Sequence, residues 1–217
     1  MSESVEKLEY GLAAPLNGTV PRKLGNPGPL GLFSFASTTL MLSLYNANAR
    51  DITHPNVVIG MALFVGGLAQ LLAGMWEFAS GNTFGATAFS SFGGFWLSYA
   101  SIFIPGSGIA DAYTDNAQEL SSAVGIYLTT WAIVTFILLI STLRRNVGLI
   151  ALFSFLDLTF ILLAAGAFSG NANIPKAAGY FGVITALIAY YVGLAELLVR
   201  EESWFTLPLG QMPKRLD

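Results

Sequence analysis

The sequence predicts an all-α membrane protein of six transmembrane helices, built as two inverted three-helix repeats. Three observations carry that prediction. Of 217 residues, 54% are hydrophobic and only 11% charged, against about 25% charged in an average soluble domain. Apolar runs of bilayer-crossing length recur along nearly the whole chain. Short identities return in order at one fixed offset.

The runs fall at roughly 28–49, 57–79, 84–104, 120–142, 147–168 and 177–199, each near the ~20 residues a helix needs to cross the hydrocarbon core. The first opens sharply. In Asn26-Pro27-Gly28-Pro29-Leu30-Gly31-Leu32 the prolines lack amide donors and fix φ, which suits a first helical turn. Asn26 can cap it. The amides of Leu30, Gly31 and Leu32 then lie near the positive helix end, where a small anion could be received. In the second run Gly60, Gly67 and Gly74 share a face at seven-residue spacing, and such small-residue stripes let membrane helices approach closely. Gly93-Gly94 in the third is similar, but its aromatic flanks Phe92, Phe95 and Trp96 favour a path-lining position.

The loops are short, around Ser80–Thr83 and Arg144–Asn146, with the longest between Pro105 and Glu119. The chain therefore divides into a polar N-terminal tail (1–25), one transport domain (26–200) and a C-terminal tail (201–217). Six crossings put both termini on one side with Lys7, Arg22, Lys23, Arg144, Arg145, Arg200, Lys214 and Arg215. Arg50 and Lys176 fall on the other, so the positive-inside rule makes both termini cytoplasmic. The repeat is seen in Ala62-Leu63-Phe64 and Ala151-Leu152-Phe153, in Ser80-Gly81-Asn82 and Ser169-Gly170-Asn171, and in Phe92-Gly93 and Phe181-Gly182. All three are offset by 89 residues, and Thr38-Thr39 has a partner in Thr129-Thr130 at an offset of 91. Duplicating an odd number of spans inverts the second unit, an architecture common among transporters.

No cysteine is present, so disulfides and thiolate metal sites are excluded. The single histidine, His54, precedes Pro55 in a loop and leaves no Ser-His triad or His-based metal centre within one chain. We therefore expect no enzyme, no metal and no cofactor. No basic cluster exceeds Arg144-Arg145, so nucleic acid is not an expected partner. Asn17-Gly18-Thr19 matches a glycosylation acceptor but lies on the expected cytoplasmic side.

No Lys or Arg lies deep within a span, so a crossing anion is expected to meet neutral donors. The candidates are Ser34, Thr38, Thr39, Asn46, Gln70, Asn82, Thr83, Ser90, Thr129, Thr130 and Asn171. Weak neutral donors suit a solute that must leave as readily as it binds. Three acids, Glu77, Asp157 and Glu196, lie in or at the ends of spans. A carboxylate there needs a partner, water or a proton, and each could carry a proton or simply bond across helices.

Several ordered motifs resemble the acetate uptake transporter family, which includes bacterial acetate/succinate permeases and fungal ammonia/acetate transporter-like proteins. They are the opening heptad (with Gly28 where the family usually has Ala), Gly66-Gly67-x-Ala69-Gln70, Ala73-Gly74-x-x-Glu77, Gly81-Asn82-Thr83-Phe84-Gly85, Ser91–Trp96 and Gly170-Asn171-Ala172. The resemblance covers residues 26 to about 200. It implies a homohexamer in the plasma membrane, with a separate path through each subunit for acetate and related short-chain monocarboxylates, in some members also succinate. It places the family's narrow apolar gate on Phe35, Phe92 and Leu156, with Phe92 where bacterial members often carry Tyr. Channel and proton-coupled symporter both fit. The alternatives are an ammonium or broad small-solute channel, and an acetate sensor that moves nothing.

Overall fold

The computed structural model describes residues 24–213. Almost all of the expected N-terminal tail, including Asn17, and the expected basic residues Lys214 and Arg215 lie outside that range. Six long helices are present: α1 (Gly28–Asn46), α2 (Val57–Ser80), α3 (Thr83–Phe103), α4 (Ala117–Thr142), α5 (Val147–Ser169) and α6 (Asn173–Leu197). They match the six apolar runs to within a few residues. Four of them, α2, α4, α5 and α6, are long and apolar enough to cross a membrane. Both α1 and α3 are rich in Ser, Thr and Gly; α1 buries much of that polarity, with Ser34, Thr38, Thr39 and Ser43 inside, whereas the serines of α3 are half-buried and Thr83 and Thr87 exposed.

Each helix packs against its neighbours in sequence, and α1 running along α6 closes the ring. The α1–α6 seam is intimate because glycines remove the spacer atoms. A Cβ at Gly179 would lie 2.5 Å from the Ala47 amide and 2.7 Å from the Ser43 carbonyl, and one at Gly182 would collide with the Ser43 hydroxyl. The Ser37 and Tyr190 hydroxyls bond across the same seam at 2.8 Å. By contrast, α3 and α4 hardly approach by backbone. Aromatic side chains and the Ser98–Tyr127 hydroxyl pair (2.8 Å) span that gap.

Helix ends follow from local chemistry. Asn82, Asn116 and Asn146 accept from the amides of Gly85, Glu119 and Leu149 and so cap α3, α4 and α5. Gly81 and Gly170 end α2 and α5 in the left-handed conformation that lacks a penalty only without a Cβ. The first helix stops at Asn46, short of residue 49, because Asn48, Arg50 and Asp51 turn to positive φ.

Two features were not expected. Phe64–Ala69 of α2 forms a π-helical segment. Its wider turns advance less per residue, so the seven-residue glycine stripe breaks. Gly67 and Gly74 pack tightly against Leu97 and Ser90, whereas Gly60 has nothing near it. Residues 203–213, expected as a tail, fold back across the start of α5. The amides of Val147 and Gly148 donate to the carbonyls of Gly210 (2.9 Å) and Leu209 (3.1 Å), and the Met212 amide donates to Arg145 (3.0 Å). The Tyr191 hydroxyl fixes Pro208 at 2.8 Å. This strap forms one antiparallel bridge, Asn146 with Gln211; the described residues contain no other β-structure.

The seam makes a testable contrast. Gly179→Ala, with no room for its methyl, should destabilise the protein by about 1–3 kcal/mol, read as a lowered thermal midpoint in detergent. Gly60→Ala should leave that midpoint unchanged or raise it. Equal midpoints for the two variants would refute the close α1–α6 contact.

Candidate functional site

At the end of the bundle that carries Asn26, the α2–α3 and α4–α5 turns and the strap, the ring encloses a cavity of about 340 Å³. Its mouth holds Glu77, Asn82, Arg144, Arg145, Glu196 and Gln211, and its walls are Leu32, Phe84, Phe89 and Leu152. Phe35, Phe92 and Phe153 also line it, where the rings of Phe35 and Phe92 meet at 5.5 Å and those of Phe92 and Phe153 at 6.2 Å. Trp131 (6.1 Å) and Phe160 (6.5 Å, parallel) complete the shell around Phe92. Leu156, buried, sits between Phe153 and Phe160 on the α5 face whose rings meet Phe92. Of the three residues expected at a gate, Phe35 and Phe92 are in ring contact, and Leu156 is buried on α5 but does not line the cavity.

Gln70 stands out among the polar candidates. It is fully buried, lines the cavity, and neither its Oε1 nor its Nε2 has a partner. An unpaired buried amide costs on the order of 1–3 kcal/mol. It follows directly after the π segment, beside Gly66, where any Cβ would crowd the Thr38 hydroxyl and the Trp96 ring at 2.8 Å. Thr38 and Thr39 are buried in α1. Thr38 donates to the Ser34 carbonyl at 3.0 Å, while the Thr39 hydroxyl lacks a partner. The Ser90 hydroxyl is likewise buried without one, against Gly74.

Other candidates lie elsewhere. Thr129 and Thr130 are exposed on the outer face of α4, with hydroxyls turned back to the Gly125 (2.8 Å) and Ile126 (3.1 Å) carbonyls. Asn46 and Asn171 are at the opposite end of the bundle, where Asn171 accepts from the Asn173 amide at 3.0 Å. Thr83 is exposed, and the Asn82 side chain is engaged as the α3 cap (3.1 Å) while still lining the cavity.

The opening heptad differs in detail from its reading as a free anion site. Asn26 accepts from the Gly28 amide at 3.0 Å, and the Gly31 amide is taken by the Pro27 carbonyl at 3.2 Å. The Leu30 side chain is half exposed, and only Leu32 reaches the cavity. The Glu196 carboxylate already lies against Gly28, filling the space a Cβ would take. The positive end of α1 therefore faces the chain's own carboxylate. Glu77, almost fully buried, accepts from the Ser80 hydroxyl at 3.3 Å. Asp157 is buried beside the gate with Oδ1 unpartnered, but it does not line this cavity.

The expectation that an anion meets only neutral donors needs correcting at the mouth, where Arg144 and Arg145 line the cavity. Both were legible as a short basic turn, but nothing in the sequence signalled that the turn folds over the cavity. Phe84, Phe89 and Phe153 were missed for a similar reason, since an aromatic in an apolar run carries no mark of which way it faces.

With this geometry in hand, comparison with known proteins is informative. The GPR1/FUN34/yaaH family model matches residues 10–214. Ammonia transport outward protein 2 of Saccharomyces cerevisiae is 49% identical over 191 residues, spanning 88% of this chain and 68% of its own. Acetate permease A of Emericella nidulans is 48% identical over 202 residues, with the same two coverages. The chain thus spans about two thirds of these fungal relatives. The succinate-acetate/proton symporter SatP of Escherichia coli K12 is 40% identical over 190 residues, 87% of this chain and 97% of its own. The solved structure of the bacterial acetate channel SatP superposes with a TM-score of 0.77 at 38% identity, covering 87% of this chain and 100% of that one. With a match running through all six helices, the chain belongs to the GPR1/FUN34/yaaH family.

Proposed function

We propose that the protein carries acetate and related short-chain monocarboxylates, succinate among the wider candidates, across a membrane along a path inside each subunit. The observation that carries this reading is the cavity lined by Phe35, Phe92 and Phe153 with the unpaired Gln70 carboxamide beside them. A small carboxylate could exchange water for that amide before passing rings that exclude a hydration shell. The relatives named for acetate support the substrate class.

All six helices cross the bilayer in this reading, α1 being tolerated because much of its polarity is buried and α3 because hydroxyls such as those of Thr87 and Ser98 bond to carbonyls of their own helix. Two inverted halves, α1–α3 and α4–α6, are supported by Gly81 and Gly170. Each ends the middle helix of its half in the left-handed conformation, 89 residues apart. Arg144, Arg145 and Arg200 share one end of the bundle, and Arg50 and Lys176 the other, which favours cytoplasmic termini. Residues 26–200 form the transport domain. Plasma-membrane residence and a homohexamer follow from the family resemblance. Asp157, Glu77 and Glu196 are the groups available to a coupled proton. A second reading, passage of ammonium, draws support from the carboxylates of Glu77 and Glu196 at the mouth and from the name of the yeast relative.

Labelled acetate flux into liposomes under imposed pH and voltage gradients tests the proposal. Acetate accumulation is expected. No flux would leave the sensor, and ammonium flux without acetate flux would favour the second reading. Phe35→Ala should widen the range of accepted acids, because it removes one side of the 5.5 Å ring contact; an unaltered range would take Phe35 out of the gate. Gln70→Leu should cut acetate flux by about tenfold or more, the cost of one lost hydrogen bond to a charged group. Asp157→Asn should flatten the pH dependence of uptake without abolishing it, and an unchanged pH profile would end its role in proton movement.

A further inference from the structure

We propose that the Arg145 guanidinium, held over the Phe84 ring at the mouth of the cavity, is a receiving subsite for the carboxylate group of the transported acid. This rests on the transport reading above and adds to it a charged station at the end of the path that the reading places in the cytoplasm, where acid leaves on uptake and enters on export.

The backbone of Arg145 is fixed on both sides. Its amide donates to the Thr142 carbonyl at 2.8 Å, and its carbonyl accepts from the Met212 amide of the strap at 3.0 Å. The next residue, Asn146, is the buried cap of α5. The side chain, though exposed, lies over an aromatic face, with the guanidinium carbon 4.3 Å from the centre of the Phe84 ring. A guanidinium lying on an aromatic face keeps its edge N–H groups free, and those edges form the fork that matches a carboxylate.

Phe84 in turn meets Phe153 edge-on at 5.6 Å, and Phe153 meets Phe92 at 6.2 Å. The cation therefore stands at the outer end of a row of rings leading to the gate, on the cavity that Gln70 also lines. The other charged groups lining this cavity are Arg144, Glu77 and Glu196. Glu77 is occupied by Ser80, and Glu196 lies against Gly28 at the start of α1. A carboxylate would thus be drawn to a cation at the mouth and handed to a neutral amide deeper in. That order concentrates the anion without trapping it at the constriction.

The experiment uses the full chain in proteoliposomes, with labelled acetate flux measured at constant pH across a range of ionic strength. Wild-type KM should rise with salt. R145Q, which keeps both backbone bonds, should raise KM at low salt by about 3–10-fold and lose most of the salt dependence, as expected when one steering charge is removed. Its kcat should change little. R145K should retain the salt dependence. F84L, which keeps the charge but removes its platform, should raise KM with the salt dependence intact. Were R145Q not to assemble, R145M, which also removes the charge and keeps both backbone bonds, would carry the same contrast against R145K. An R145Q protein with wild-type KM and salt response would overturn the subsite while leaving transport standing. Equal KM increases in R145Q and R145K, with salt dependence kept in both, would overturn it in favour of a packing role. Absence of acetate flux in the wild type would overturn the transport reading and the subsite together.

Discussion

The packing around one ring, Phe92, sets the geometry of the interior. It belongs to α3 and touches Phe35 of α1, Trp131 of α4, and Phe153 and Phe160 of α5. Along α3–α4 the backbones hardly meet, and α3 and α5 are joined through side chains alone. In a bilayer, helices are not driven together by exclusion from water, so close contact of shaped surfaces must do that work. A cluster of rings supplies such contact while leaving a space between backbones. The bundle is a closed ring with an interior because its middle is filled by aromatic side chains and not by interlocked helices.

The intimate and the aromatic seams divide the labour. Where α1 meets α6, Gly179 and Gly182 let backbone touch backbone, and the contact is rigid. Where α3 meets α4, Tyr127 bonds both the Ser98 hydroxyl and the Phe95 carbonyl. Side chains can change rotamer without moving a helix. The bundle is therefore held by close glycine contacts along one seam and by side chains along the other.

Much of this was legible in the residues. Six apolar runs, Asn caps and Gly ends marked the helices to within a few positions, because those signals are local. Motif order singled out Phe35 and Phe92, whose rings the structure places in contact. The orientation of a helix face could not. In a soluble helix the polar stripe marks the outside, but on α4 both faces are apolar, so Thr129 and Thr130 gave no sign that they turn outward. The π segment of α2 hid for another reason. Gly66 and Gly67 read as packing glycines whichever helical period holds, yet that period rotates Gly60 off the stripe. The cations of the mouth were visible as residues but not as a place, since Arg145 reaches the cavity only once the turn and the strap are both folded.

The strap also bears on how the protein is made. Val147 and Gly148 begin α5, and the first amides of a helix have no partner within it. Here their acceptors are the carbonyls of Gly210 and Leu209, contributed from beyond α6. As the chain leaves the ribosome, α5 can enter the bilayer long before those carbonyls exist. Its beginning stays incomplete until synthesis has passed Met212. The end of the helix nearest the cavity mouth is thus among the last parts of the fold to be finished. Maturation of the mouth is timed by translation of the strap, not by insertion of the helix that the strap completes.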